Sequence, residues 1–90
     1  EFIQNLVASH FNLSIQELLS PRRSRSLARP RQIAMYLAKQ HTTNSLPDIG
    51  RKFSNRDHTT VIHAVKKIDE LIKKDNDIKQ SVFELKKKLI

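Results

Sequence analysis

The sequence predicts an all-α domain of six helices, containing a helix-turn-helix with a basic loop ahead of it. Three observations lead there. Apolar residues recur at spacings of three and four almost from end to end, the period of an amphipathic helix. No stretch alternates apolar and polar residues as a half-buried strand does. Residues that start helices (Ser14, Ser45, Asp57, and Asp75 or Asn76) stand ahead of the apolar stripes.

Phe2, Ile3, Leu6, Val7 and Phe11 make a first stripe over about 2–11. Asn12-Leu13 breaks it. Ser14 with Glu17 three residues on is a capping box, and Ile15, Leu18 and Leu19 form the inner side of the short helix that follows. Ser20-Pro21 ends that helix, because the residue before proline is steered out of the helical region. Residues 20–29 hold four arginines and no apolar period, which reads as a loop. Pro30 suits a helix's first turn, where its missing N–H costs nothing, so a third helix is expected over about 29–41, burying Ile33, Ala34, Leu37 and Ala38. Ser45, Pro47 and Asp48 open a short fourth helix with Leu46, Ile49 and Phe53 inside. After Ser54-Asn55-Arg56, Asp57 caps a fifth helix to about Lys73. Its stripe, Val61, Val65, Ile68 and Ile72, falls within about 60° on a wheel of 3.6 residues per turn. Asp75 or Asn76 starts the last helix, with Ile78, Val82, Leu85 and Leu89 inside.

Composition bounds the function. Ninety residues hold one small domain, expected to span 1–90. Seventeen Lys and Arg against nine Asp and Glu give a net charge of +8, which points to polyanionic partners. With no cysteine there is no disulfide, thiolate metal site or cysteine nucleophile. One glycine cannot build a phosphate-cradling loop. The longest apolar run, Ile33 to Ala38, is far too short to span a membrane. The first residue is Glu1, which gives the expectation of a piece cut from a longer protein.

Two elements carry the functional reading. Helices at about 45–53 and from His58, joined by a short turn, match a helix-turn-helix, whose second helix lies in the major groove. Thr59 and His63 point directly away from the buried stripe, with Thr60 and Lys67 beside them, and Asp57 and the Thr hydroxyls are base-reading groups. The other element is charge: from Leu18 to Pro47 there are no acidic residues, but Arg22, Arg23, Arg25, Arg29, Arg31 and Lys39 all occur. Basic arms beside a recognition helix enter the narrow minor groove of A·T runs. His58 and His63, five apart and without flanking carboxylates, do not form a zinc pattern. Asp57, His58 and Thr59 do not form a catalytic triad, since chain neighbours point apart. Met35 and Tyr36 read as core or rim, and Gly50 as a close-packing point beneath the recognition helix. A competing class, an amphipathic helix on anionic lipid, fits Lys86-Lys87-Lys88. It fits less well the positive charge gathered around a loop.

The stretch Ile49-Gly-Arg-Lys-Phe-Ser-Asn-Arg-Asp-His-Thr-Thr-Val-Ile-His-Ala64 closely resembles the signature of the bacterial replication-initiator family DnaA, and Arg22 to Gln32 resembles that family's basic loop and following helix. The resemblance covers essentially the whole chain and corresponds to the family's C-terminal DNA-binding domain. It departs at Ser54-Asn55, where many relatives carry glycine; Asn tolerates a left-handed backbone, so the turn is expected to survive. The resemblance implies binding of double-stranded DNA at origin boxes of the TTATNCACA type, and action at promoters as a transcription regulator. It implies that Arg23 enters the minor groove and that Asp57, His58, Thr59, Thr60 and Ala64 read the major groove. It places Arg25, Arg31, Gln32, Lys39, Arg56, His63 and Lys67, with the backbone of Leu46 and Pro47, on phosphates. This chain would be no enzyme and hold no cofactor or metal; ATP and magnesium would bind a module upstream of Glu1. The isolated domain would be monomeric, the whole protein would assemble on DNA through its other domains, and acidic phospholipid would meet the upstream module. The expected location is the cytoplasm, at the nucleoid.

Overall fold

The computed structural model describes residues 2–89, and in it each apolar stripe behind a cap has become a helix. In chain order these are α1 (Phe2–His10), α2 (Ile15–Leu19), α3 (Arg25–His41), α4 (Leu46–Lys52), α5 (His58–Lys74) and α6 (Asn76–Leu89). Among the described residues there is no strand. Glu1 and Ile90, the ends of the expected 1–90 domain, lie outside the described residues.

The caps are those the sequence indicates. Ser14 Oγ accepts from Glu17 N at 3.0 Å and the Glu17 carboxylate returns the bond to Ser14 N. Ser45 and Asp48 do the same for α4. Asp57 caps α5. Of the two candidates ahead of α6, Asp75 is the cap: its Oδ1 accepts from Asp77 N and Ile78 N. These bonds satisfy amides that a helix start leaves without partners.

α3 is the centre of the domain and touches every other helix. Its run from Ile33 to Ala38 is buried without interruption, as a helix surrounded on all sides must be. Val7, Leu18, Ile49, Phe53, Val61, Ile68 and Leu85 pack around it from the other helices. Gln4, also buried, donates to the Lys52 carbonyl at 2.8 Å and ties α1 to the end of α4.

Four expectations are corrected. First, α3 begins at Arg25, not at about 29, so Pro30 lies inside the helix. The buried stripe starts at Leu27 and runs through Pro30, Arg31 and Ala34, and the Ser24 carbonyl accepts from Leu27 N and Ala28 N to close a turn ahead of the proline. Pro30 costs one bond, to Ser26, close to the helix start. Second, the basic loop is correspondingly shorter, and Arg25 and Arg29 are helical. Third, the buried side of α5 is Val61, Ala64 and Ile68, while Val65 and Ile72 are only half-buried, because α5 turns its small Ala64 toward α3. Fourth, Phe2 is 64% exposed: α1 buries Ile3, Gln4, Val7 and Ala8, a face that leaves Phe2 to one side.

Candidate nucleic-acid interface

The site is assembled where α2 ends. A five-residue helix leaves its last carbonyls without intrahelical partners, and here two arginines and a serine take them. Arg31 Nε donates to the Leu18 carbonyl at 2.7 Å, and its Nη1 reaches the Arg22 carbonyl in the basic loop at 3.0 Å. Arg56, in the turn before α5, donates to the Ser20 carbonyl at 2.6 Å, to Phe53 O at 2.6 Å and to Leu19 O at 3.4 Å. Ser54 Oγ donates to Leu19 O at 2.9 Å. Cations at a helix C-terminus also meet the negative end of its dipole. The basic loop and the helix-turn-helix are thus clamped to the same three residues, Leu18 to Ser20.

The turn between α4 and α5 uses left-handed backbone at Ser54 (φ 63°) and Asn55 (φ 56°), a region that costs most L-residues roughly 1–2 kcal/mol. Asparagine tolerates it, and the Ser54 hydroxyl bond offsets part of its own strain. Gly50, expected as a packing point beneath the recognition helix, instead packs against the turn that precedes it. Gly50 accepts from Arg56 N at 2.8 Å and Phe53 N at 3.1 Å, and a Cβ on it would overlap the Arg56 carbonyl oxygen. The close approach is to the backbone of the turn itself.

Arg31 is only 6% exposed, and among the described residues it forms no ion pair with a carboxylate. Burial first, and then the neighbouring Arg56 charge, hold its guanidinium below the usual arginine value; burial does the same to Arg56. Both stay protonated at physiological pH. Arg31 Nη2 is buried and has no hydrogen-bond partner among the described residues. Two desolvated cations side by side favour an anion in front of them.

A cleft of about 580 Å³ opens there, lined by Arg23, Arg31, Ser54, Arg56 and Thr60 with Leu19 and Pro21. A smaller one of about 180 Å³ lies between α3 and α5, against Arg31, Gln32, Arg56, Thr60, His63 and Ala64. The fold therefore gathers Arg23, Arg31, Gln32, Arg56, Thr60, His63 and Ala64 around one furrow. Within it Ala64 is 2% exposed, so its methyl offers almost no surface. Asp57, His58, Thr59 and Lys67 are exposed on α5 outside these clefts, with His58 Nδ1 3.0 Å from Asp57 Oδ1. Arg25 is exposed at the start of α3 and Lys39 near its end; Pro47 is exposed and Leu46 half-buried at the start of α4. Among the described residues no three His, Asp or Glu side chains gather to hold a metal, and no helix is long and apolar enough to cross a membrane.

Sequence reasoning missed the clamp. Leu18, Leu19 and Ser20 offer only backbone carbonyls, and an arginine in a basic stretch reads as solvated. The available signal was Arg31 falling on the stripe of Leu27 and Ala34.

Residues 1–68 match the family model described as the bacterial dnaA protein helix-turn-helix. The chain is 57% identical over 90 residues to the chromosomal replication initiator protein DnaA of Brucella abortus, and 58% identical to that of Rhizobium johnstonii. It covers all of its own length in both but only 18% of theirs. A solved crystal structure of a DNA replication initiation factor superposes with a TM-score of 0.86 at 35% identity, over 98% of this chain and 27% of that one.

Proposed function

The chain belongs to the bacterial DnaA helix-turn-helix family, and from that premise we propose that it binds double-stranded DNA sequence-specifically at replication-origin boxes of the TTATNCACA type. The observation that carries this reading is the furrow between the basic loop and the start of α5, with Arg31 and Arg56 at its base and neither in an ion pair among the described residues. The start of α5 lies in the major groove, where Asp57, His58, Thr59 and Thr60 read base edges, with the Ala64 methyl behind them. Arg23 enters the adjoining minor groove. Arg25, Arg31, Gln32, Lys39, Arg56, His63 and Lys67, with the backbone at Leu46 and Pro47, hold the phosphates that set the register.

Binding recruits the whole initiator to start chromosome replication, and at promoters the same contact regulates transcription. ATP binding and hydrolysis, assembly on DNA and contact with acidic phospholipid belong to other parts of the whole protein. This chain has no catalytic part in them. The complex works in the cytoplasm, at the nucleoid.

The test is binding of the 90-residue chain to a box-containing duplex and to a scrambled one across a salt series. If Arg25, Arg31, Lys39, Arg56 and Lys67 each neutralise a phosphate, log K falls against log salt with a slope of about −4 to −5, and Lys39→Ala makes it shallower by about one for every duplex. Equal affinity for box and scrambled DNA rejects the reading. A finer test sits on α5. Thr59 is exposed opposite the buried face, so Thr59→Ala should leave stability within about 0.5 kcal/mol. It should also remove roughly 1–3 kcal/mol of discrimination at one or two base pairs. A variant that melts far below the parent yet keeps full box preference shows that the face is assigned backwards.

A further inference from the structure

A second groove lies at the other end of α5, between α5, α6 and α3. It measures about 590 Å³, within the roughly 300–1,000 Å³ of ligand-binding clefts. Its floor is apolar (Tyr36, Ile72, Val82) and its rim carries Lys73, Lys79 and Lys86. Phe83, on the same rim, is 53% exposed, unusual for a large apolar side chain. Lys86 Nζ lies 5.5 Å from the Tyr36 ring centre and Lys87 Nζ 4.5 Å from that of Phe83. None of these lysines forms an ion pair among the described residues, and Asp69 is the one carboxylate lining the groove.

Lys73 is fifteen residues beyond His58 on α5, about 22 Å at 1.5 Å per residue, and about 9 Å beyond Lys67, the last α5 residue proposed to meet a phosphate, so the groove adjoins the DNA and does not lie under it. The rim lysines alone would take phosphate as well as carboxylate, but a phosphate leaves the apolar floor of Tyr36, Ile72 and Val82 unfilled; a bilayer meets protruding apolar faces, whereas this floor is recessed between cations.

We propose that the groove docks a short acidic segment of another protein, with one bulky apolar side chain inserted beside Phe83 and its carboxylates on Lys73, Lys79 and Lys86. Charge complementarity selects the acidic partner and the recessed floor requires the apolar anchor. Occupancy is independent of DNA, so a regulator docked here reaches the domain while it sits on its box.

The experiment is fluorescence anisotropy with a fluorescein-labelled peptide, Asp-Glu-Asp-Phe-Glu-Asp-Leu-Asp, and with the same peptide carrying serine at both apolar positions. The first should bind about tenfold more tightly than the second, and Phe83→Ser and Lys79→Glu should each weaken it about fivefold or more. Both substitutions are at exposed positions, thermal melts confirm folding, and box affinity should hold within about twofold. Equal binding of the two peptides overturns the proposal, as does complete displacement of the labelled peptide by a box duplex or a single-stranded oligonucleotide. It is also overturned if Phe83→Ser abolishes binding to phosphatidylglycerol vesicles, which makes the face a lipid contact, or abolishes self-association in sedimentation, which makes it a dimer contact.

Discussion

Arg31→Met should lower stability by roughly 1–3 kcal/mol and at the same time erase the preference for an A·T run beside the box. The stability loss follows from the carbonyls. Methionine fills much of the arginine stem's volume but donates nothing, so Leu18 O and Arg22 O lose their bonds. Leu18 O is left buried and unsatisfied, which costs about 1–3 kcal/mol, whereas Arg22 O lies in the exposed loop, where water replaces the bond. Part of this is offset, because the parent buries a charge at a loss: a base whose folded pKa lies below its unfolded one destabilises the fold at every pH below the folded value. That loss is relieved only as pH rises through the arginine range, so within the physiological range it is constant. The specificity loss follows from the loop. Arg22 O is held by Arg31, and Arg23 is the next residue, so releasing one frees the other. Arg31→Lys separates the two effects. It keeps the charge and therefore the salt slope, but a lysine cannot span both carbonyls with fixed geometry. The A·T preference should fall even where the slope does not. Melts paired with binding to duplexes with A·T or G·C flanks check this. A lysine variant that retains the full flank preference would show that Arg31 does not position the loop.

The reason this arginine was not legible in the sequence also explains how far the rest was. The six helices rest on local rules, apolar period and capping residues, and local rules act within a few residues: Ser14 with Glu17, Ser45 with Asp48, Asp75 ahead of Ile78. They failed where two local rules competed. Pro30 resembles a helix start, while the stripe beginning at Leu27 places the start earlier, and burial of Leu27 decides for the stripe. The exposed face of α5 was legible because it lies opposite Val61 and Ile68 on one helix. The clamp was not, because Arg31 and Arg56 find carbonyls thirteen and thirty-six residues away, and no periodicity encodes a backbone acceptor. Ala64 shows the same limit: its contact on α3 depends on how two helices meet.

Gly50→Ala should destabilise the domain by roughly 2 kcal/mol, although alanine is the better helix former by up to about 1 kcal/mol. The glycine's backbone is ordinary helix, with no positive φ; what it supplies is room. An added Cβ would overlap the Arg56 carbonyl oxygen and lie 3.2 Å from the Arg56 carbonyl carbon. These are backbone atoms, which cannot swing aside as a side-chain end can. The turn is also closed onto Gly50 by the Arg56 N–H to Gly50 carbonyl bond, and its other side is fastened to α2 through Ser54 and Arg56. To admit a methyl group it must lift, and the start of α5 lifts with it. For a domain of this size about 2 kcal/mol corresponds to a fall in Tm of roughly 8–16 °C. Box affinity should fall further than unfolding accounts for, measured well below the variant's own Tm, because Asp57, His58 and Thr59 sit directly after the displaced carbonyl. Val61→Ala is the control. Val61 is fully buried on α5 and contributes none of the atoms nearest a Cβ added at Gly50, so its truncation should cost comparable stability through a cavity and leave box affinity per folded molecule unchanged. If Gly50→Ala melts with the parent, or loses no more affinity per folded molecule than Val61→Ala, the turn does not take its height from this glycine.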